Sequence, residues 1–448
     1  MKQIRLNAFD MNCVGHIQQG LWRHPRDRSA DYNTLEHWTS LARLLERGLF
    51  DGLFLADVLG VYDVHGDSPA AAIAHGVQVP VGDPLLLIPA MAAVTTHLGF
   101  GVTANLTYEP PFPFARRMST LDHLTRGRIG WNVVTGYLDS AARAFGLDRQ
   151  RAHDDRYDVA DDYMQAVYKL WEGSWAEGAV LRDRESGLFA DPARVRSIRH
   201  EGPHIRLEAI HLCEPSPQRT PVLYQAGSSG RGKQFAGSHA ECVFLNGQAK
   251  PAVRKHVDAI RAAAQEAGRA PGHVLAFVGA TVIVAETEAL AKAKLADYRR
   301  YASPEAALVH ASASMGIDLD RFGMDEPIGG ESNAITSNLQ AMAQQDMTKR
   351  KLLAQMVLGS RQPPIVGSPA QVVDELVAWV EQADVDGFIL SRTVTPECFE
   401  DFVELVVPEL QRRGAYKTEY APGTLREKLF GAGRLLPGTH PAAVQRMW

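Results

Sequence analysis

"PVLYQAGSSGRGKQF" (Pro221–Phe235) runs from an apolar stretch through a Gly/Ser loop into the start of a helix. Gly227 to Lys233 reads G-x-x-x-x-G-K, the spacing of an ATP-binding loop. Such a loop needs Ser or Thr after the lysine, because that hydroxyl holds Mg²⁺; here Gln234 stands there. The match to a triphosphate site is therefore coincidental. What remains is one strand–loop–helix unit, and the number of such units decides the fold.

The same unit recurs along the chain. "IRLNAFD" (Ile4–Asp10) precedes a helix over Tyr32–Gly48, which places Leu35, Trp38, Leu41, Leu44 and Leu45 on one face. "GLFLAD" (Gly52–Asp57) precedes a helix over Pro84–Thr96, and "LGFGVTAN" (Leu98–Asn105) one through Arg116–Thr125. "RIGWNVVTG" (Arg128–Gly136) precedes a helix over Arg156–Trp171. After Pro221–Gly227 and its helix from about Gly232 come "ECVFLNG" (Glu241–Gly247) with Pro251–Ala267, and "HVLAFVGATVIVA" (His273–Ala285) with Glu288–Arg299. "DGFILSRT" (Asp386–Thr393) and a helix to Arg412 complete the series. Eight units close a parallel sheet into a TIM (β/α)8 barrel. The near-continuous apolar strands fit a sheet covered by helices. A doubly wound open sheet, the alternative, has fewer strands and a switch point. We expect a single domain over 1–448, with insertions at about 172–220 and 303–368 and a C-terminal tail at about 414–448. The second insertion, rich in Gly, Asp and Ser, has the length of a lid or of a surface excursion.

Composition narrows the function. Of 448 residues, 45% are hydrophobic and 22% charged, and the formal net charge is −5, which argues against nucleic acid or an anionic membrane as partner. No apolar run has the length and continuity of a signal peptide or a membrane span. The four cysteines are widely spaced, without a C-x-x-C pair. A reducing, cytoplasmic location is the expectation.

In a barrel of this class chemistry gathers at the C-terminal ends of the strands. Those ends carry Asp10 with Cys13 and His16, then Asp57, Thr103 with Asn105, Asn132 with Thr135, Gly227 with Ser228 and Ser229, Asn246, and Arg392. This rim suits a polar, planar cofactor. Duller roles stay open: Asp57 could cap the next segment and Asn132 could make a turn. Cys13-x-x-His16 is half a metal site without its second half, so no metal is expected. His65, His75 and His310 form no metal-binding spacing, and no G-x-S-x-G elbow is present. The Gly227–Ser229 loop opens a helix at the barrel mouth, where amides and hydroxyls bind a phosphate without magnesium. FMN is the natural occupant.

Six blocks carry a resemblance: "NAFDMNCVGHIQQGLWRHP" (Asn7–Pro25), "FDGLFLADVLGVYDV" (Phe50–Val64), "RRMSTLDHLTRGRIGWNVVTG" (Arg116–Gly136), "HDDRYDVADDYMQAVYKLWEGSW" (His153–Trp175), "HLCEPSPQRTPVLYQAGSSGRG" (His211–Gly232) and "FVELVVPELQRRG" (Phe402–Gly414). Together they resemble the flavin-dependent monooxygenases of the bacterial luciferase-like superfamily. The similarity runs nearly end to end, within the branch of nitrilotriacetate, dibenzothiophene-sulfone and, most similar, long-chain alkane monooxygenases. The resemblance implies reduced FMN delivered by a separate NAD(P)H-dependent flavin reductase, O₂ as co-substrate, and oxidation of a small organic or xenobiotic compound through a flavin peroxide. It also implies a homodimer or homotetramer. The chain itself shows no G-x-G-x-x-G fingerprint for a dinucleotide. By position, Asp57, Thr103 and Asn132 would address the flavin ring. Tyr157, Gly227, Ser228 and Ser229, helped by His153, would hold the phosphate. Cys13, His16, Tyr62, Gln78, Tyr137 and His310 would line the reactive face, with His16 and His310 as acid–base groups. Relatives on the alkane branch usually carry Ser then His where this chain has Gly136 and Tyr137, so the substrate stays open. The branch includes a lyase that splits riboflavin, which is the alternative within this chemistry. A barrel hydrolase and a non-catalytic flavin-binding protein are the alternatives outside it.

Overall fold

The computed structural model describes residues 2–226, 229–247, 249–329, 333–334, 346–356, 358 and 362–446. Eight parallel strands close into one barrel: β1 (Arg5–Met11), β2 (Gly52–Ala56), β3 (Gly99–Asn105), β4 (Ile129–Val134), β5 (Val222–Ala226), β6 (Cys242–Leu245), β7 (Leu275–Ala280) and β8 (Gly387–Ser391). Each pairs with its neighbours in sequence, and β8 returns to β1, with Phe9 opposite Ser391.

Strand alternation divides the core in two. Outward residues such as Leu6, Leu53, Leu55, Phe100 and Trp131 pack under the helices. The helix α1 (Leu35–Arg47) buries Trp38, Leu41 and Leu45 there. Inward residues fill the barrel with aromatic rings: Phe54 lies 4.3 Å from Phe244 and 5.6 Å from Tyr224, centroid to centroid. Two glycines make room for them. A Cβ at Gly101 would stand 2.6 Å from the Phe54 ring, and one at Gly130 would stand 2.4 Å from Tyr224.

Several expected elements are cut differently. His273–Ala285 is not one strand: Leu275–Ala280 belongs to the barrel, whereas Val282–Val284 pairs with Ile365–Gly367 outside it. The chain returning from the second insertion supplies that partner. The expected helix over Pro84–Thr96 is two short turns, Pro84–Leu86 and Ile88–Ala93, because Pro89 has no N–H to bond across the join. The helix α2 begins earlier than expected, at Pro111, and runs to Leu124. The helix α3 spans His153–Tyr168 and ends in a wide turn at Lys169–Gly173. The helix after β8 likewise widens at Phe402–Val406, just ahead of Pro408, where a missing amide favours a looser ladder. The first insertion holds two hairpins, Val180–Asp183 with Leu188–Ala190 and Ile198–Glu201 with Arg206–Ala209. The second contains a helix, Pro304–Met315, whose residues from Ala306 onward are all buried.

The C-terminal segment plugs the opposite end of the barrel. Leu425 and Leu429 of the helix Leu425–Phe430 close the inner core from below. Beside them Arg426 grips Glu241, Nε to Oε1 at 2.7 Å and Nη2 to Oε2 at 2.9 Å, and donates to the carbonyls of Thr220 (2.9 Å) and Arg434 (2.8 Å). Removing one member of a buried pair strands the other, at a cost of about 3–5 kcal/mol. Urea unfolding of Arg426→Leu is expected to show a loss of that size, and Arg426→Leu combined with Glu241→Leu a smaller one. Among the described residues no helix is long and apolar enough to cross a membrane.

Candidate active site

At the C-terminal ends of the strands lies a cavity of about 230 Å³. Its walls come from the loop after β2 (Asp57–Leu59), the end of β3 (Asn105), the end of β4 and its loop (Val133–Tyr137), the first turns of α3, and the β5 connection. Of the residues given flavin or substrate roles from the sequence, five line it, Asp57, Tyr137, His153, Tyr157 and Ser229, together with Asn105 and Thr135 from the expected rim of strand ends.

One end of the cavity is built from two helix starts. Ser229 caps α4 (Gly230–His239), its hydroxyl accepting from the Gly232 amide at 3.0 Å. Tyr157 projects from α3; burial raises its pKa, opposed first by the Arg156 charge and then by hydrogen bonding with Ser229 and Gln225. It stays a neutral donor. His153 opens α3 with Nδ1 2.8 Å from Asp154. Gly227 and Ser228 lie outside the described residues.

Thr103 and Asn132, expected to address a flavin ring, lie in a different setting. Thr103 and Asn132 face inward from adjacent, register-paired positions, and Asn132 Nδ2 donates to Thr103 Oγ1 at 3.0 Å. The amide oxygen of Asn132 is buried without a partner, so this pair has an acceptor to offer. Neither residue lines the cavity directly. Asp57 does, and burial, followed by the nearby Asp83 charge, pushes its carboxyl up to about 7 against the Val58 amide.

Beside the cavity a second group is wired together. Tyr62 donates to Gln78 Oε1 at 2.6 Å and shares a 2.7 Å contact with the Tyr137 hydroxyl. Gln78 Nε2 lies 3.4 Å from the His16 carbonyl and 3.4 Å from His310 Nε2. The rings of Tyr62 and His310 stack at 5.8 Å. Gln78 holds this position with a left-handed backbone, φ +53°, and strain of that kind collects at functional sites. His16 is buried edge-on against Phe9. The Cys13 thiol donates to the Gly15 carbonyl at 3.3 Å, and burial pushes it up to about 12. Its chemistry is that of a neutral thiol.

Arg156 escaped the reading of the sequence. It lines the cavity while only 2% exposed. Its guanidinium bonds the carbonyls of Gly136 and, at 2.8 Å, Asn333, while its Nε is buried without a partner. One signal was available: a cation in the first turn of α3, among Asp154, Asp155 and Asp158, opposes the helix dipole. Phe235, in the same wall, is an apolar helix residue like many others and gave no signal. His65 contacts Asp318 at 3.8 Å and Asp320 at 3.4 Å, while Lys349 lies 2.8 Å from Asp320. The His65 contacts tie the second insertion to the loop after β2.

The fold and site define a TIM-barrel enzyme with a cavity at the strand ends, polar at one end and walled by apolar side chains. The sequence pattern of luciferase-like monooxygenases matches residues 16–386. The chain is 50% identical over 446 residues to a long-chain alkane monooxygenase of Geobacillus thermodenitrificans (strain NG80-2), covering 99% of this chain and 98% of that one. It is 48% identical over 452 residues to a dimethyl-sulfide monooxygenase of Hyphomicrobium sulfonivorans, covering 99% and 94%. A riboflavin lyase, solved with modified FMN and riboflavin, superposes with a TM-score of 0.94 at 39% identity, covering 100% of both chains. The chain belongs to the luciferase-like monooxygenase family. It is a flavin-dependent monooxygenase acting on a small organic compound.

Proposed function

We propose that this enzyme binds FMN and receives it in reduced form from a separate NAD(P)H-dependent flavin reductase. The phosphate is held by Tyr157, Ser229 and the N-terminus of α4, with Gly227, Ser228 and His153 assisting. Asp57, Thr103 and Asn132 address the ring. The observation that carries this reading is the pairing of a helix-capping Ser229 with a neutral Tyr157 at one end of the cavity and an unpartnered Asn132 oxygen near the other. Reduced FMN supplies the electrons that activate O₂. The protein orients the ring, excludes water and places His16 and His310 to move protons. Cys13, Tyr62, Gln78 and Tyr137 complete the substrate side.

The same reading takes the chain as a single domain whose insertions shape that side, working in the cytoplasm, where its four free thiols are at home, as a homodimer or homotetramer. Riboflavin belongs among the candidate substrates, because the lyase superposes with a TM-score of 0.94.

The test is turnover with and without a reductase. The purified protein alone is expected to leave NADH and NADPH unoxidised. Adding a flavin reductase, or photoreduced FMN, is expected to start O₂ consumption and, in a panel of alkanes, sulfides, sulfones, aminopolycarboxylates and riboflavin, product formation. Steady NADH oxidation by the protein alone would overturn the two-component reading.

A further inference from the structure

Two buried charges at the rim have no role in the proposed function. Asp10, on β1, is 1% exposed, and Arg392, one residue past β8, is 5% exposed. They meet at the seam where the barrel closes, Arg392 Nε lying 2.6 Å from Asp10 Oδ1. The same oxygen accepts the Met11 amide at 2.7 Å. Through Nη2 the guanidinium donates to the carbonyls of Cys13 at 2.9 Å and Val14 at 2.8 Å. A buried pair gains little stability over apolar residues of the same size, so its value here lies in what it orients.

What it orients is the turn that ends in His16. From the other side the Gln78 amide donates to the Gly15 carbonyl at 2.9 Å, and the Gly15 amide to the Gly76 carbonyl at 3.0 Å. The turn is thus pinned between the last strand and the segment carrying Gln78. We propose that Arg392, clamped by Asp10, is a positioning residue for His16. Through the Cys13 and Val14 carbonyls it fixes the Cys13–His16 turn and anchors a permanent positive charge on the backbone two residues before His16, so that the imidazole meets the reaction unprotonated and accepts a proton without first holding one.

The surroundings agree. Burial, then the Arg392 charge, then His310 hold His16 well below the usual histidine range. Of the nearby anions, Asp10 is engaged by Arg392, and Asp27 behind it accepts from the Thr395 amide at 2.9 Å and from Ser29. The Cys13 thiol is neutral. Among the described residues no carboxylate is hydrogen-bonded to the His16 ring.

The inference rests on His16 serving as an acid–base group, and its test separates the two. Imidazole signals of the FMN-loaded protein are followed by NMR against pH, the His16 signal being the one absent from His16→Gln. In the parent protein it is expected to stay neutral below the ordinary histidine range. Arg392→Met is expected to raise its midpoint by about one pH unit or more, the scale of a close like charge, and Arg392→Lys, which keeps the charge, to restore it. If Arg392→Met does not fold, Asp10→Leu combined with Arg392→Met removes the pair as a unit and is expected to give the same upward shift. An unchanged midpoint in whichever of these folds overturns the proposal. Full product formation by His16→Gln would instead overturn the acid–base role of His16 and leave the titration result standing.

Discussion

His310→Leu is expected to lower product formation about 10²–10⁴-fold, the usual worth of a positioned proton-transfer group. Flavin reoxidation should continue, with hydrogen peroxide released in place of product. The hydrogen bonds fix what His310 can do. The His16 carbonyl only accepts, so the Gln78 atom facing it is the amide nitrogen, and Gln78 therefore donates to His310 Nε2 as well. A neutral His310 then carries its proton on Nδ1. The helix that bears it packs against Tyr62, Val77 and Leu138, so the competing view is a packed histidine whose loss costs stability first. Melting temperature, FMN affinity and the product-to-peroxide ratio in His310→Leu and His310→Gln decide between them. A variant that melts early but keeps the parent ratio would make the histidine structural.

The barrel was legible because its strands are buried on both faces and so read as near-continuous apolar runs toward a polar end, as in "GLFLAD" and "RIGWNVVTG". Eight such runs leave few other closures. Boundaries went astray where backbone chemistry, not hydrophobic period, decides: Pro89 splits a helix, and Val282–Val284 leaves the barrel for a partner more than 80 residues on. The start of the helix at Gly230 was readable for a similar reason, since a Gly/Ser loop before a helix is a local signal. The substrate side was not. Tyr62, Gln78, Tyr137, His16 and His310 meet only through folding; His16 could be read at the end of the first strand, but the other four were placed by the resemblance, not by spacing. The Asp10–Arg392 clamp joins the first and last strands, 382 residues apart, a distance no local pattern bridges.

Asp57 is expected to make the flavin-free protein less stable as the pH rises, and Asp57→Asn to remove that dependence. The carboxyl is held up to about 7, first by burial and then by Asp83, against an ordinary value near 3.8. The folded state therefore binds one more proton than the unfolded chain between those values. Stability from this group is complete below about pH 4, declines through the window, and is lost above about pH 7. About three pKa units at 1.36 kcal/mol each give about 4 kcal/mol as an upper bound, since the side chain keeps some contact with solvent. In urea, Asp57→Asn should match the parent at pH 4 and exceed it at pH 8, while Asp83→Asn should recover part of the difference. A position at the mouth of the cavity that keeps such a costly group is answering to function over stability. The N–H groups of a flavin ring are donors that a carboxylate accepts, so FMN binding should draw the proton off Asp57. Calorimetry at pH 6.5 in buffers of different ionisation enthalpy should then report proton release on FMN binding by the parent protein and none by Asp57→Asn. Equal release in both, or an equal stability difference at pH 4 and pH 8, would show that Asp57 is not the group responsible.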